Sequence, residues 1–204
     1  MKKPLFKNFR DLAQFNPHFK SNQIFRSALL TFYQHEESFQ KKLASKNIDT
    51  IIDFRADREL DKNPYQKPTF DYIHAPFDPW NQSETFQKEY NKGSNAEIAY
   101  HFFMLECKES IKKTIETILA CQNGLLLHCH AGKDRTGIVV ALLALLINTP
   151  KNLILKDYLA SEEDTSPEKL DIVFQHVEKE GSIVAYLQSC DLSEEQIQML
   201  RKKL

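Results

Sequence analysis

Glycine is scarce in this chain: five of 204 residues, Gly93, Gly124, Gly132, Gly137 and Gly181, about a third of the usual frequency. A collagen-like or glycine-linker chain is excluded, and each glycine calls for a local reason. No Pro/Gly/Ser-rich linker, internal repeat or low-complexity tract interrupts the sequence, so one domain over 1–204 is expected. Basic charge is not in excess either. The 27 basic and 28 acidic side chains leave a net charge of −1, which argues against a nucleic-acid partner. The opening MKKPLFKNFRDLAQFNPHFK lacks the continuous apolar stretch of a signal peptide. The longest apolar run, Gly137 to Ile147, has eleven residues, where crossing a bilayer takes roughly 20. A soluble, cytoplasmic protein without integral membrane association is expected. Cys107, Cys121, Cys129 and Cys190 form no CxxC pair and have no histidine at zinc-ligand spacing. They read as reduced thiols, and neither a metal nor another cofactor is called for.

What is present is globular in proportion, with 42% apolar and 27% charged residues. The charge is unevenly spread. Residues 1–46 carry nine basic against three acidic side chains, and residues 157–195 carry eleven acidic against two basic. Two solvated helical faces explain this most simply; the sharper reading is a basic rim that attracts a polyanionic substrate.

Short apolar runs predict strands at Gln23–Arg26, Thr50–Arg55, Tyr72–Ala75 and Leu125–Cys129. Helical spacing links Phe39 to Leu43, then Ile98, Phe102 and Leu105, then Ile111, Ile115, Ile118 and Leu119, with Gly124 expected to close the last helix and turn the chain. Thr149 before Pro150, Ser166 before Pro167, and Ser193 with Gln196 predict helix starts near 150, 167 and 194. The pattern is that of an α/β fold: a small, largely parallel sheet of four to five strands flanked by helices, with a helical insertion at about 80–122 covering one edge or the site, and a helical C-terminal part from about 150 to 204.

One stretch carries chemistry. Leu125 to Leu127 lead into His128, Cys129, His130, Ala131, Gly132, Lys133, Asp134, Arg135, Thr136 and Gly137, followed by IVVALLALLI. A buried strand that enters a short loop and then a buried helix aims backbone amides and the positive end of the helix dipole at one point, which makes an anion site. Gly132 supplies the backbone freedom of a tight nest, and Gly137 permits close helix packing. Cys129 lies at the mouth of the nest, where the amides and the guanidinium of Arg135, six residues on, stabilise a thiolate. Arg135 offers a planar fork for two phosphate oxygens, and Thr136 a hydroxyl for the sulfur. These parts describe nucleophilic attack by cysteine on phosphorus, with a phosphocysteine that water then hydrolyses. A Walker loop does not fit, because Asp134 follows Gly132-Lys133 where Ser or Thr is required and no glycine lies five residues before Gly132.

His128 to Gly137, HCHAGKDRTG, resembles the HCxxGxxR[ST] signature of the protein tyrosine phosphatase superfamily, and its GKDR form is similar to that of a bacterial tyrosine phosphatase family with atypical dual-specificity and lipid-active members. Asn8-Phe9-Arg10-Asp11, Ile24-Phe25-Arg26-Ser27 and Thr50 to Glu59 resemble further motifs of that family, in the right order, so the likeness runs from residue 8 to roughly 160. It implies a phosphotyrosine phosphatase-like fold and a phosphoric monoester hydrolase acting on phosphotyrosine, with phosphoserine, phosphothreonine and phosphoinositides as further candidates. Phosphorylated proteins or phosphoinositides are then the partners. By position it makes Cys129 the nucleophile, Arg135 the phosphate clamp, and His130 to Thr136 the phosphate-binding loop. His128 orients the loop, Thr136 assists breakdown of the intermediate, and Arg10, Asp11, Asp53 and Arg55 brace the loop from behind.

The general acid is less plain, because the Trp-Pro-Asp triplet of many superfamily members is absent. Asp134, inside the loop, is favoured; Asp78, after the third predicted strand and ahead of Pro79, is the alternative, with a turn-forming role as its simpler explanation. Lys133 either adds charge for inositol phosphates or faces solvent. Two other classes compete: a catalytically silent phosphate-binding module, and a thiol-based sulfur or arsenate enzyme, which calls for a resolving cysteine that the loop does not contain.

Overall fold

The computed structural model describes residues 6–66, 68–161 and 164–204. Among these, five strands form one sheet: β1 (Arg10–Asp11), β2 (Ile24–Ser27), β3 (Ile48–Asp53), β4 (Asp71–His74) and β5 (Gly124–His128), in the spatial order β1-β2-β5-β3-β4. All neighbours are parallel except β1, which pairs antiparallel with β2 at the edge. The expected strands are present, displaced by one or two residues. The two-residue β1 was not anticipated, being too short for an apolar alternation. At the carboxyl ends Ser27, His128 and Asp53 stand in register, with His74 beyond Asp53. In open parallel sheets this is the edge at which ligands bind.

Alternation along β5 divides the core. Leu125 and Leu127 face a large layer of helices, while Leu126 faces a smaller cluster with Phe25, Ile51, Phe39 and Leu43, the last two from α1 (Glu37–Ser45). After the short α2 (Asp57–Lys62), the insertion folds as α3 (Glu84–Glu89), α4 (Asn95–Glu106) and α5 (Lys108–Ala120). Ser94 and Glu97 close a reciprocal capping box at the start of α4. Helix α6 (Asp134–Leu146) follows the catalytic-loop candidate and is buried at ten of its thirteen residues, which accounts for the long apolar run. Among the described residues no helix is long and apolar enough to cross a membrane.

The tail forms α7 (Lys151–Leu159), α8 (Pro167–Lys179), α9 (Ile183–Ser189) and α10 (Glu194–Lys203); α4 packs on α8 and α5 on α10. The three expected starts are present, and Ser193 with Gln196 forms the capping box. Thr149 is not a cap: Pro150 occupies that position and the Thr149 hydroxyl accepts the Asn16 amide at 2.9 Å. Ser166 caps α8 by position without a side-chain bond to its amides. Helix α9, capped by Ser182, was missed because seven residues show too little periodicity. Gly124 closes no helix. It opens β5, where a Cβ would stand 3.0 Å from the Lys46 carbonyl oxygen.

Candidate functional site

The loop from Cys129 to Lys133 joins the central strand to the most buried helix, and its carbonyls are held from outside. The His128 carbonyl accepts Phe54 N–H at 2.8 Å, His130 accepts Leu29 N–H at 2.9 Å, Ala131 accepts the Asn8 side-chain amide at 2.8 Å, and Gly132 accepts Arg26 Nη2 at 2.8 Å. In a trans peptide the following N–H points the opposite way. By this geometry the N–H groups of Ala131, Gly132 and Lys133 point to the concave side, and none of them donates to a described residue. Gly132 makes the curvature possible: its φ is +67°, and a Cβ there would lie 2.2 Å from the Ser27 carbonyl oxygen. Gly137 admits the Tyr158 ring, which a Cβ would meet at 2.8 Å.

Cys129 lies at the floor, 2% exposed. The Arg135 guanidinium is gripped by both oxygens of Glu59, Nη2 donating to Oε1 at 2.9 Å and Nη1 to Oε2, while Nη1 also approaches the Phe54 carbonyl at 3.4 Å. Burial alone would push this guanidinium down; the Glu59 hydrogen bonds, with the charges of Cys129, Glu59 and Asp53, more than reverse that and keep it charged. Glu59 also accepts the Ala56 N–H at 2.9 Å, so one carboxylate ties α2 to the fork.

Behind the loop His128 is fully buried, and burial lowers its pKa, so the ring is neutral. Its Nδ1 lies 3.0 Å from the Cys129 carbonyl, a contact that requires the proton on Nδ1 and leaves Nε2 to accept from Tyr65 Oη at 3.1 Å. Asp53 and Arg55 form a fully buried pair beside it, with Arg55 Nη2 at 2.6 Å and Tyr72 Oη at 3.0 Å from Asp53 Oδ2. Burial pushes the Asp53 carboxyl up, and the charges and bonds around it bring it below the ordinary range.

Arg10 does not touch the loop. It bonds Asp157 Oδ1 at 2.7 Å, Asp157 also receives Arg26, and only Arg26 reaches the loop. Asp11 stands elsewhere, accepting the N–H groups of Ala13 and Asn22. Thr136 Oγ1 is buried and has no hydrogen-bond partner among the described residues, so the expected bond to the Cys129 sulfur is not made. Lys133 is 9% exposed instead of facing solvent, its Nζ lying 3.6 Å from Asp134 and 3.7 Å from Asp164. Asp134 Oδ1 receives Tyr100 Oη at 2.8 Å. Asp78 Oδ1 receives Trp80 N–H at 3.0 Å, a turn closed on itself around Pro79. Asn8, Arg26, Glu59, Tyr65, Tyr100 and Asp157 were not singled out as site residues. Asn8, Arg26 and Glu59 do lie inside the quoted motifs, so for these the signal was at hand.

A buried cysteine in a loop whose carbonyls are held from outside, with a carboxylate-braced arginine fork six residues on, is an arrangement that can support phosphoryl transfer through a cysteine. The chain belongs to the tyrosine phosphatase family, whose model matches residues 3–204. It is 28% identical over 186 residues to the triple specificity protein phosphatase PtpB of Mycobacterium tuberculosis, a match that takes in 76% of this chain and 67% of that protein. Crystal structures of similar fold include P. aeruginosa TpbA, with 12% identity, a TM-score of 0.50 and coverage of 84% of this chain and 88% of that one. The core catalytic domain of the PP-IP phosphatase SIW14 from S. cerevisiae has 16% identity, a TM-score of 0.50 and coverage of 90% and 94%. Identities this low speak for the fold alone.

Proposed function

We propose that this protein hydrolyses phosphotyrosine through a phosphocysteine, with Cys129 as nucleophile. The observation that carries this reading is the loop itself, whose carbonyls are tied from outside so that the N–H groups of Ala131, Gly132 and Lys133 point the other way, free to meet an anion beside Cys129. The thiolate attacks phosphorus, an S–P bond forms, the P–O bond to the leaving group breaks, and Asp134 gives that oxygen its proton. Water then attacks the phosphocysteine, Asp134 takes a proton from it, and the S–P bond breaks to release phosphate. Thr136, with its hydroxyl uncommitted, donates to the departing sulfur in this second step. Asp134 suits the acid role better than Asp78 because it lines the cavity beside Arg135, whereas Asp78 closes a turn around Pro79.

Beside Asp134 and Arg135 opens a cavity of about 190 Å³, walled by Trp80, Tyr100 and Phe103 and flanked by Lys169. Aromatic walls suit an aryl leaving group, hence phosphotyrosine before phosphoserine. Buried Lys133 and the name of the PtpB relative support trial of phosphoserine, phosphothreonine and phosphoinositides as further substrates.

The test is hydrolysis of a phosphotyrosine peptide, a phosphoserine peptide and phosphoinositide vesicles by the wild type and by Cys129→Ser. The serine variant is expected to keep phosphate affinity and lose turnover, because a hydroxyl cannot replace a thiolate as the nucleophile. Turnover by Cys129→Ser near the wild-type level, or phosphate binding without turnover by the wild type, refutes the mechanism.

A further inference from the structure

Helices α4 and α7 each send one buried tyrosine toward the start of α6, and the two hydroxyls meet there. Tyr100 Oη lies 2.8 Å from Asp134 Oδ1 and 2.8 Å from Tyr158 Oη, and both rings are 1% exposed. A carboxylate only accepts, so Tyr100 donates to Asp134 and its oxygen is left to accept the Tyr158 proton. The chain of donors therefore runs one way, from Tyr158 through Tyr100 to Asp134. Burial, reinforced by the Asp134 charge, holds Tyr100 well above the ordinary tyrosine range, so it remains a donor throughout the working pH range.

Asp134 is the first residue of α6, and its two oxygens are held differently, Oδ1 by the Tyr100 hydroxyl and Oδ2 only by the looser charge of Lys133 at 3.6 Å. With Oδ1 tied to Tyr100, Oδ2 is the oxygen left to carry a transferable proton. A hydrogen bond to an ionised carboxylate is stronger than one to a neutral acid, so the Tyr100 bond strengthens as the proton departs. That is assistance confined to the proton-transfer step.

We propose that Tyr100, supported by Tyr158, is a positioning residue that aims Asp134 at the leaving oxygen and favours release of its proton. This rests on Asp134 as the acid. The experiment compares kcat/KM for phenyl phosphate and p-nitrophenyl phosphate, which differ in how much the leaving oxygen needs a proton, across wild type, Tyr100→Phe, Tyr158→Phe, Asp134→Asn and the Tyr100→Phe/Asp134→Asn double variant. The ratio of the two values on one preparation does not depend on how much of it is folded. Tyr100→Phe is expected to lower the phenyl-to-nitrophenyl ratio about tenfold, the loss of one charge-assisted hydrogen bond. Tyr158→Phe should act in the same direction and less, and inhibition by inorganic phosphate should stay at the wild-type level in both. In the Asp134→Asn background Tyr100→Phe should have no further effect on the ratio. Tyr186→Phe is the control, since that buried hydroxyl bonds the Met104 carbonyl on the same helix α4, so its loss should leave the ratio unchanged.

An unchanged ratio in Tyr100→Phe, with Asp134→Asn still lowering it, overturns the positioning role and leaves the acid in place. An unchanged ratio in Asp134→Asn overturns the acid assignment, and the tyrosine proposal with it.

Discussion

Asp157→Asn is the substitution that best tests how the loop is braced. Asp157 Oδ1 accepts Arg10 Nε at 2.7 Å, Oδ2 accepts Arg26 Nη1, and its backbone carbonyl takes Arg10 Nη2 at 2.7 Å. The Arg26 side chain is fully buried, and those of Arg10 and Asp157 are 5% exposed. Asparagine keeps the shape and removes the charge, leaving two buried guanidinium groups side by side without compensation. Breaking a buried pair in this way costs about 3–5 kcal/mol, against a total stability of about 5–15 kcal/mol. For a domain of this size each kcal/mol lowers Tm by about 2–4 °C, so a fall of roughly 6–20 °C is expected. Arg26 is also the group that holds the Gly132 carbonyl, so kcat/KM should drop well beyond what partial unfolding explains at the assay temperature.

The pH dependence has a definite sign. Burial pushes the Asp157 carboxyl up, but the charges and hydrogen bonds of Arg26 and Arg10 bring it below its ordinary value. A carboxyl with a depressed folded-state pKa contributes stability that is present above its unfolded pKa of about 3.9 and is lost as pH falls through the folded value. Thermal unfolding should therefore separate wild type and variant most above about pH 5, and the gap should narrow as acid titrates the wild-type carboxylate. A Tm within about 2 °C of wild type at neutral pH, with unchanged kcat/KM, would refute the brace.

Other substitutions isolate other parts of the loop. Gly132→Ala adds a methyl group 2.2 Å from the Ser27 carbonyl oxygen at a φ of +67°, and should abolish phosphate binding as well as turnover; isothermal titration with phosphate on Cys129→Ser and its Gly132→Ala double variant reads this directly. Glu59→Gln keeps the shape but removes the charge and one of the two acceptors beside Arg135, and should lower kcat/KM about tenfold to a hundredfold, with recovery in Glu59→Asp absent because the arm, one methylene shorter, does not reach the guanidinium. Arg135→Lys should lose more than either, since a point charge cannot replace a fork; a loss of less than about tenfold would place the clamp elsewhere.

How far the fold could be read in advance depended on distance along the chain. Four of the five strands, α6 and the loop were legible because each is written in one contiguous stretch, the loop as a cysteine, a glycine and an arginine at fixed steps after three leucines. The bracing is written in pairs far apart. Arg135 meets Glu59 across 76 positions, Arg26 meets Asp157 across 131, and Tyr100 meets Asp134 across 34, none of which has a local signature. Asp11 was misplaced for the converse reason: its neighbour Arg10 points to the loop's support, while Asp11, one residue further along an edge strand, points away. The surplus of basic charge near the start and of acidic charge near the end was read as two solvated faces. Part of it is nothing of the kind, because Arg10 and Arg26 are buried against Asp157.

That buried contact gives the charge asymmetry a mechanical meaning. Consecutive residues of α7 serve two points where the loop runs into α6, since side chains one step apart on a helix diverge by about 100°. Asp157 turns to Arg26 and, through it, to the Gly132 carbonyl, while Tyr158 turns to Gly137 and, through Tyr100, to Asp134. The loop's outer side thus meets donors: the Arg26 guanidinium, the Asn8 amide and the N–H groups of Leu29 and Phe54. Donors that hold the carbonyls polarise those peptides so that their opposite N–H ends become better donors to whatever the concave side receives. An anion placed there meets dipoles already fixed in its favour and spends nothing on turning them, which is the condition under which electrostatic stabilisation of a transition state is largest.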